Sequence, residues 1–213
     1  VSEDKFKNIP VKSGVKELFN ENPELASIGT QQQYSAYLET IFPDSKVKDI
    51  VYHGTEKFIG DVFTKEYLGK KSFRPRKREG FYFTNKEGIS IIGYAKKTVV
   101  SSLINIQNPQ LAEDIRDIKE YDINNDGAIS KEDVGDEFGT YEFPTFVAFE
   151  PEQIHILGSK ADIQGFKNFI KNLENNKQSQ ILTSINNPTE FTNHSGGAKG
   201  YDAEWDLIGA EFG

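Results

Sequence analysis

"IVYHGTEKF", residues 50–58, sets a polar His-Gly-Thr directly after a β-branched and aromatic pair. The run "VKDIVYHG" reads as a strand, and the whole chain of 213 residues carries only three histidines. At a strand end, a histidine is ordinarily a hydrogen-bonded polar residue rather than a functional one. The glycine beside it, however, leaves the backbone open to close approach by another group. The sequence on either side decides between these readings.

Hydrophobic residues make up 36% and charged residues 27%, which fits a soluble globular protein. No apolar run reaches the length of a bilayer-crossing helix, so no membrane role is expected. Cysteine is absent, which excludes disulfides and thiolate metal sites and fits a reducing compartment. Methionine is absent too, even at position 1, and the apolar run "WDLIGAEFG" stops at Gly213. Together these read as a processed chain or a piece of a longer protein. The net charge of −8 argues against general nucleic-acid binding. One stretch goes the other way: "KKSFRPRKRE" packs Lys70, Lys71, Arg74, Arg76, Lys77 and Arg78 together. That loop is either a solvated charge run or a phosphate-facing one.

Outward from His53 the elements alternate. "GVKELFNENPELASI" has helical spacing broken at Pro23, and "QQQYSAYLETIF" is a helix with Tyr34, Leu38 and Ile41 on one face and Thr30 as N-cap. "EKFIGDVFT" has helix-like spacing. "REGFYFTN" is a short aromatic strand, "GISIIGYAKKT" a helix, "TVVSSLINIQNP" a strand, and "QLAEDIRDIKEY" a helix. "TFVAFEPEQIHIL" is two short strands around Pro151, and "QGFKNFIKNLENNK" is a helix. Short strands mixed with helices, without regular alternation, point to an α+β domain around a split sheet. The expected organisation is a loose segment at 1–17, a domain at 18–175, a linker at 176–192 and a further piece at 193–213.

Three stretches in order, "VYHGT" at 51–55, "GFYFTNKEGISIIGYAKK" at 80–97 and "PTFVAFEPEQIHIL" at 144–157, resemble the ADP-ribosyltransferase fold of the His-Tyr-Glu class. The variety they most resemble is the transferase domain embedded in phage and mobile-element polyvalent proteins. The resemblance implies NAD as substrate. It also implies that His53 bonds the adenosine-side ribose, that Gly54 holds the nicotinamide amide through its backbone, and that Thr55 assists. Tyr82 and Tyr94 would stack on the nicotinamide, and Arg76 would meet the pyrophosphate.

Active members of that family carry a glutamate one residue before the third strand's aromatic, where it steadies the developing positive charge. Here Thr145 stands in that place. Glu142 is the substitute if Pro144 breaks the strand register, and Glu150, Glu152 and Gln153 follow as further candidates. Transfer to a host protein or other macromolecule, in the virion or the host cytoplasm, is the reading that follows. A catalytically silent NAD- or ADP-ribose-binding module, or a structural or cargo protein of a virion, stands as the alternative.

Two further stretches stand apart. "DINNDGAISKED", residues 122–133, matches a calcium loop. Asp122, Asn124 and Asp126 fall at positions 1, 3 and 5, and Gly127 at 6. The Ala128 carbonyl falls at 7, Ser130 at 9 and Asp133 at 12. The competing reading makes Asp126 to Ile129 the start of a strand. "NHSGGAKGYDAEWDLIGAEFG", residues 193–213, resembles the glycine-rich opening turn of a SLOG-type nucleotide-binding domain.

Overall fold

The computed structural model describes residues 6–55, 61–67, 80–86, 88, 98–118, 122–132 and 143–185. Three short helices lead in: α1 (Val15–Glu21), α2 (Pro23–Ile28) and α3 (Gln31–Ile41). Seven strands follow: β1 (Val51–Thr55), β2 (Phe81–Thr84), β3 (Thr98–Ile104), β4 (Pro109–Asp114), β5 (Gly127–Glu132), β6 (Thr145–Ala148) and β7 (Ile154–Ile156). A long helix, α4 (Lys160–Ile185), closes the described chain. The strands form one sheet in the order β4-β5-β6-β2-β1-β3-β7, in which β4 and β5 run parallel and all other neighbours antiparallel. The fold is therefore mixed α+β with a mixed seven-stranded sheet.

Thr30 caps α3 as its sequence predicts. Its hydroxyl accepts from the Gln33 amide while the Gln33 side chain accepts from the Thr30 amide, a reciprocal capping box. Pro23 ends α1 and opens α2, where its missing N–H costs nothing. The 1–17 stretch, expected to be loose, is tied down from Phe6 onward. Phe6 is buried, the Lys12 amide donates to Ser35 Oγ at 3.1 Å, and Lys12 Nζ pairs with Glu39 at 2.6 Å.

A second correction concerns "QLAEDIRDIKEY". Its helix formers predict a helix, but the chain enters as β4 and only then makes a 3-10 turn at Ile115–Asp117. The parallel partner β5 supplies backbone hydrogen bonds that override local propensity, which is a weak prior. Leu111 is left largely exposed on this edge strand.

Each face of the sheet has its own core. On one face Val51, Phe81, Phe83, Val100, Ile104 and Ala148 cluster with Val47, Phe63 and Ile106. On the other, Ala128 and Val147 pack with Ile115 and Ile118, with Tyr82 and Phe149 alongside. Ser45 anchors the entry to β1: its hydroxyl donates to the Ile104 carbonyl at 2.7 Å and accepts from the Val47 and Ile106 amides. Gln153 ties three segments together with four bonds. Its Nε2 donates to the Asn105 and Asp126 carbonyls, and its Oε1 accepts from the Phe149 and Glu150 amides.

The start of α4 is built around Asp162, whose side chain has no solvent exposure. Tyr34 Oη donates to Oδ2 at 2.5 Å, the Gly158 amide donates to the same oxygen at 2.8 Å, and His155 Nε2 sits 2.8 Å from Oδ1. Tyr37 Oη donates to the Asp162 carbonyl. Burial and the neighbouring carboxylate push both tyrosine hydroxyls well above their ordinary range, so both stay protonated donors. Phe166 stacks edge-on against Tyr34 with ring centroids 5.0 Å apart, and Phe19 does the same at 5.5 Å. Gly165 lets this happen, because a Cβ there would lie 2.2 Å from Tyr37 Oη. The helix then runs on to Ile185, through the first part of the 176–192 stretch read as a linker. Residues 168–185 belong to a second compact unit, of which this part of α4 is all that is described.

Asp162→Ala strands the Tyr34 hydroxyl and the Gly158 amide in a dry site. The expected cost is about 3–5 kcal/mol of folding stability, as for a broken buried charged network. Urea unfolding of the variant beside the parent measures it.

Candidate functional site at the seam between β1 and β2

β1 and β3 share a full ladder of five register pairs, from Val51↔Ser102 to Thr55↔Thr98. β1 and β2 share a single pair, Tyr52↔Thr84. Continued in register, that pairing would place Gly54 opposite Tyr82, but the ladder does not extend so far. The sheet is thus hydrogen-bonded across its whole width yet thin at one seam, between the strand carrying His-Gly-Thr and the strand carrying Tyr82.

His53 bridges the seam with its side chain. Its Nδ1 lies 2.8 Å from the Tyr82 carbonyl. A carbonyl only accepts, so Nδ1 carries the proton. Burial lowers the imidazole below the ordinary histidine value, and the bond to Tyr82 offsets this only in part. The ring is therefore neutral at pH 7, with a lone pair at Nε2. In this tautomer Nε2 is a hydrogen-bond acceptor. The ring is held by Phe63, edge-on at 5.2 Å, and by Phe83 at 5.6 Å. Phe63 was not singled out in the sequence. Its signal is faint, since one aromatic in an apolar run looks like any other core residue.

Side chains alternate along a strand, and residues directly opposite share a face. His53 therefore shares a face with Val51, Phe83 and Val100. Tyr52, Gly54, Tyr82 and Thr84 belong to the other face. His53 and Tyr82 approach from opposite sides of the sheet, and one ligand can touch both only where the strands part. Gly54 and Thr55 are half-buried at the end of β1, and Tyr82 is half-buried in β2.

The third motif strand lies next to the second. β6 pairs with β2 through Phe81↔Ala148, Tyr82↔Val147, Phe83↔Phe146 and Thr84↔Thr145. Thr145 is buried, on the Tyr82 face, and pairs on its other side with Ser130 of β5. Ser130, Thr145 and Thr84 thus form a row of hydroxyls across three strands. Thr84 Oγ1 donates to the Pro144 carbonyl at 2.7 Å, while Ser130 Oγ is fully buried without a hydrogen-bond partner. Of the further candidates, Glu150 accepts from Lys65 Nζ at 2.5 Å, and the Gln153 side-chain amide is consumed by its four bonds. Glu142, Arg76, Tyr94 and Asp133 lie outside the described residues, as do the 70–78 basic stretch and the 193–213 tail.

The calcium-loop match takes another form. From Gly127 onward it is strand β5, paired with β4 and β6, with Ala128 and Ser130 buried in the sheet. Asp126 lies immediately ahead of that strand. Asp126 uses both carboxylate oxygens as backbone acceptors, for the amides of Gln107 at 2.7 Å and Asn108 at 2.9 Å. Asp122 Oδ1 accepts from the Asn124 amide and side chain. Among the described residues no group of three or more His, Asp or Glu side chains converges as metal ligands.

In the unfolded chain a histidine titrates near pH ~6.5, and His53 in the fold titrates lower. As pH falls below about 6.5, the unfolded state takes the proton first and stability drops, until the folded value is passed; above about 6.5 His53 adds no pH dependence. His53→Gln is expected to flatten this acid-side loss, read as melting temperature against pH from 7.5 to 4.5. No protein-family model, curated protein or solved structure matches the chain, so the seam is interpreted through its own geometry.

Proposed function

We propose that this is an NAD-dependent mono-ADP-ribosyltransferase-like domain of the split-sheet His-Tyr-Glu type, which passes ADP-ribose to a macromolecular acceptor. The observation that carries the reading is the strand order β6-β2-β1. Three motifs far apart in sequence, at 51–55, 80–84 and 145–148, come to lie on three neighbouring strands.

The chemistry agrees with that placement. NAD loses nicotinamide through an oxocarbenium-like state, so both sides of one bond must be held. Gly54 offers a backbone without a side chain to crowd an amide. His53 Nε2 offers an acceptor to a ribose hydroxyl, with the ring oriented by the Tyr82 carbonyl. Tyr82 offers an aromatic surface on the Gly54 side of the seam. By the same resemblance, the domain belongs with transferases carried by phage and mobile elements, acting in the virion or the host cytoplasm. No described helix is long and apolar enough to cross a membrane.

A second reading is favoured by Thr145. A hydroxyl in place of the third-strand carboxylate suits a module that holds NAD or ADP-ribose without turning it over.

Labelled NAD added to the chain and a host lysate separates the two readings. Label on a protein, lost in His53→Ala, is the expected result. NAD-dependent thermal stabilisation without label would mean the binding module. His53→Ala is expected to weaken NAD binding about ten-fold, the worth of one hydrogen bond in a desolvated site. Neither label nor stabilisation would sink both readings.

A further inference from the structure

The two ends of the sheet are finished differently. β7 closes one end with three residues. β4 closes the other with six, and among the described residues no strand lies on its outer side. An edge of that length offers backbone N–H and C=O groups to any chain that can pair with them, unless charge, a bulge or proline blunts it. β4 has a proline only at its first position, where it interrupts least, and no lysine or arginine.

The side chains tell the same story. The register of β4 with β5, and of β5 with β6, sets Leu111, Ile129 and Phe146 in one row on one face. Ile129 and Phe146 are partly buried against the core there, but Leu111, at the end of the row, is 74% exposed. Ile123, at 96%, is the most exposed large apolar residue among those described. It sits on a turn tethered to β4, because the Asp122 amide donates to Gln110 Oε1 at 3.1 Å. Two uncovered aliphatic side chains thus flank one uncovered strand. The acidic groups beside them are already engaged. Asp126 holds two backbone amides, Asp122 Oδ1 holds Asn124, and Glu113 is matched by Lys131 at 3.9 Å. The patch therefore offers a partner apolar side chains and backbone rather than charge.

We propose that β4 pairs antiparallel with β4 of a second copy of this chain, joining the two sheets edge to edge about a two-fold axis through Leu111. Opposed residues in an antiparallel pair share a face, so a continuous sheet admits only self-pairings centred on a residue. Centred on Leu111, leucine meets leucine, Gln110 meets Ala112 and Glu113 meets Pro109, and no like charges are opposed. Moved one residue on, to Ala112, the centre would set Leu111 against Glu113. Moved one back, to Gln110, it would set Leu111 against a proline, which has no N–H to pair. β5 and β6 separate β4 from β2 and the seam, so the pairing is independent of the NAD reading.

Sedimentation of the full chain over a concentration series tests the pairing. A short edge is a small contact, so a dimer with a Kd of about 10–100 µM is expected. Leu111→Lys sets like charges opposite each other and should weaken association about ten-fold or more, with the melting temperature of dilute protein unchanged because the side chain is exposed. Val62→Lys, at another exposed aliphatic, should associate as the parent does. The chain has no cysteine, so a single introduced thiol reports the register. Leu111→Cys brings its two copies face to face and should form a disulfide dimer about ten-fold faster or more than Glu113→Cys, whose copies lie about 13 Å apart. A parent that stays monomeric up to about 1 mM overturns the proposal and leaves the edge to a strand of another protein. Unchanged association in Leu111→Lys overturns it, as does equal cross-linking at 111 and 113. A loss in Val62→Lys as large as in Leu111→Lys would mean indiscriminate contact between apolar surfaces and overturns it too.

Discussion

Asp162 carries a carboxylate with no access to water, and the helical side of the domain is arranged to satisfy it. Each donor comes from a different place: Tyr34 from α3, Gly158 from the turn before α4, His155 from the edge strand β7. A buried carboxylate is costly unless every lone pair finds a partner. That demand fixes the position of α3 against the sheet edge and the start of α4 together. The aromatic packing of Phe19, Tyr34 and Phe166 follows from the same placement.

With that side rigid, the domain leaves its weakest join in the middle of the sheet. β1 is locked to β3 along its length but touches β2 at one pair. The His53 bond to the Tyr82 carbonyl takes over where the ladder stops, so a side chain does the work of backbone at the point where the strands part. Irregular pairing in a sheet exposes backbone groups and re-aims side chains. Here it leaves Gly54 and Tyr82 outside the ladder, with the His53 imidazole bonded across the seam.

Much of this was legible in the sequence. The runs "REGFYFTN", "TVVSSLINIQNP" and "TFVAFEPEQIHIL" read as strands and hold β2, β3, β6 and β7, and Thr30 marks the start of α3. The stretches at 51–55, 80–97 and 144–157 form one constellation in the sequence, and the sheet makes their strands β1, β2 and β6 neighbours. What was not legible was set by tertiary partners. Residues 110–114 hold helix formers, and only β5 makes them a strand. Residues 122–133 match a ligand pattern, and nothing local says that Asp126 serves the backbone of Gln107 and Asn108. Asp162 looks like any acidic residue in a helix's first turn, a common and unremarked placement. Nothing local says that three other segments converge on it.

The Tyr34–Asp162 bond joins residues 128 positions apart. Contacts of such long range are made late, because the intervening chain must be ordered first. During synthesis α3 emerges early, and its aromatic face waits, uncovered, for a helix encoded near the far end of the domain. Until α4 is made, the nascent chain therefore holds Tyr34, Tyr37 and Phe19 without their cover. Such surface is what holdase chaperones bind and what aggregation begins from.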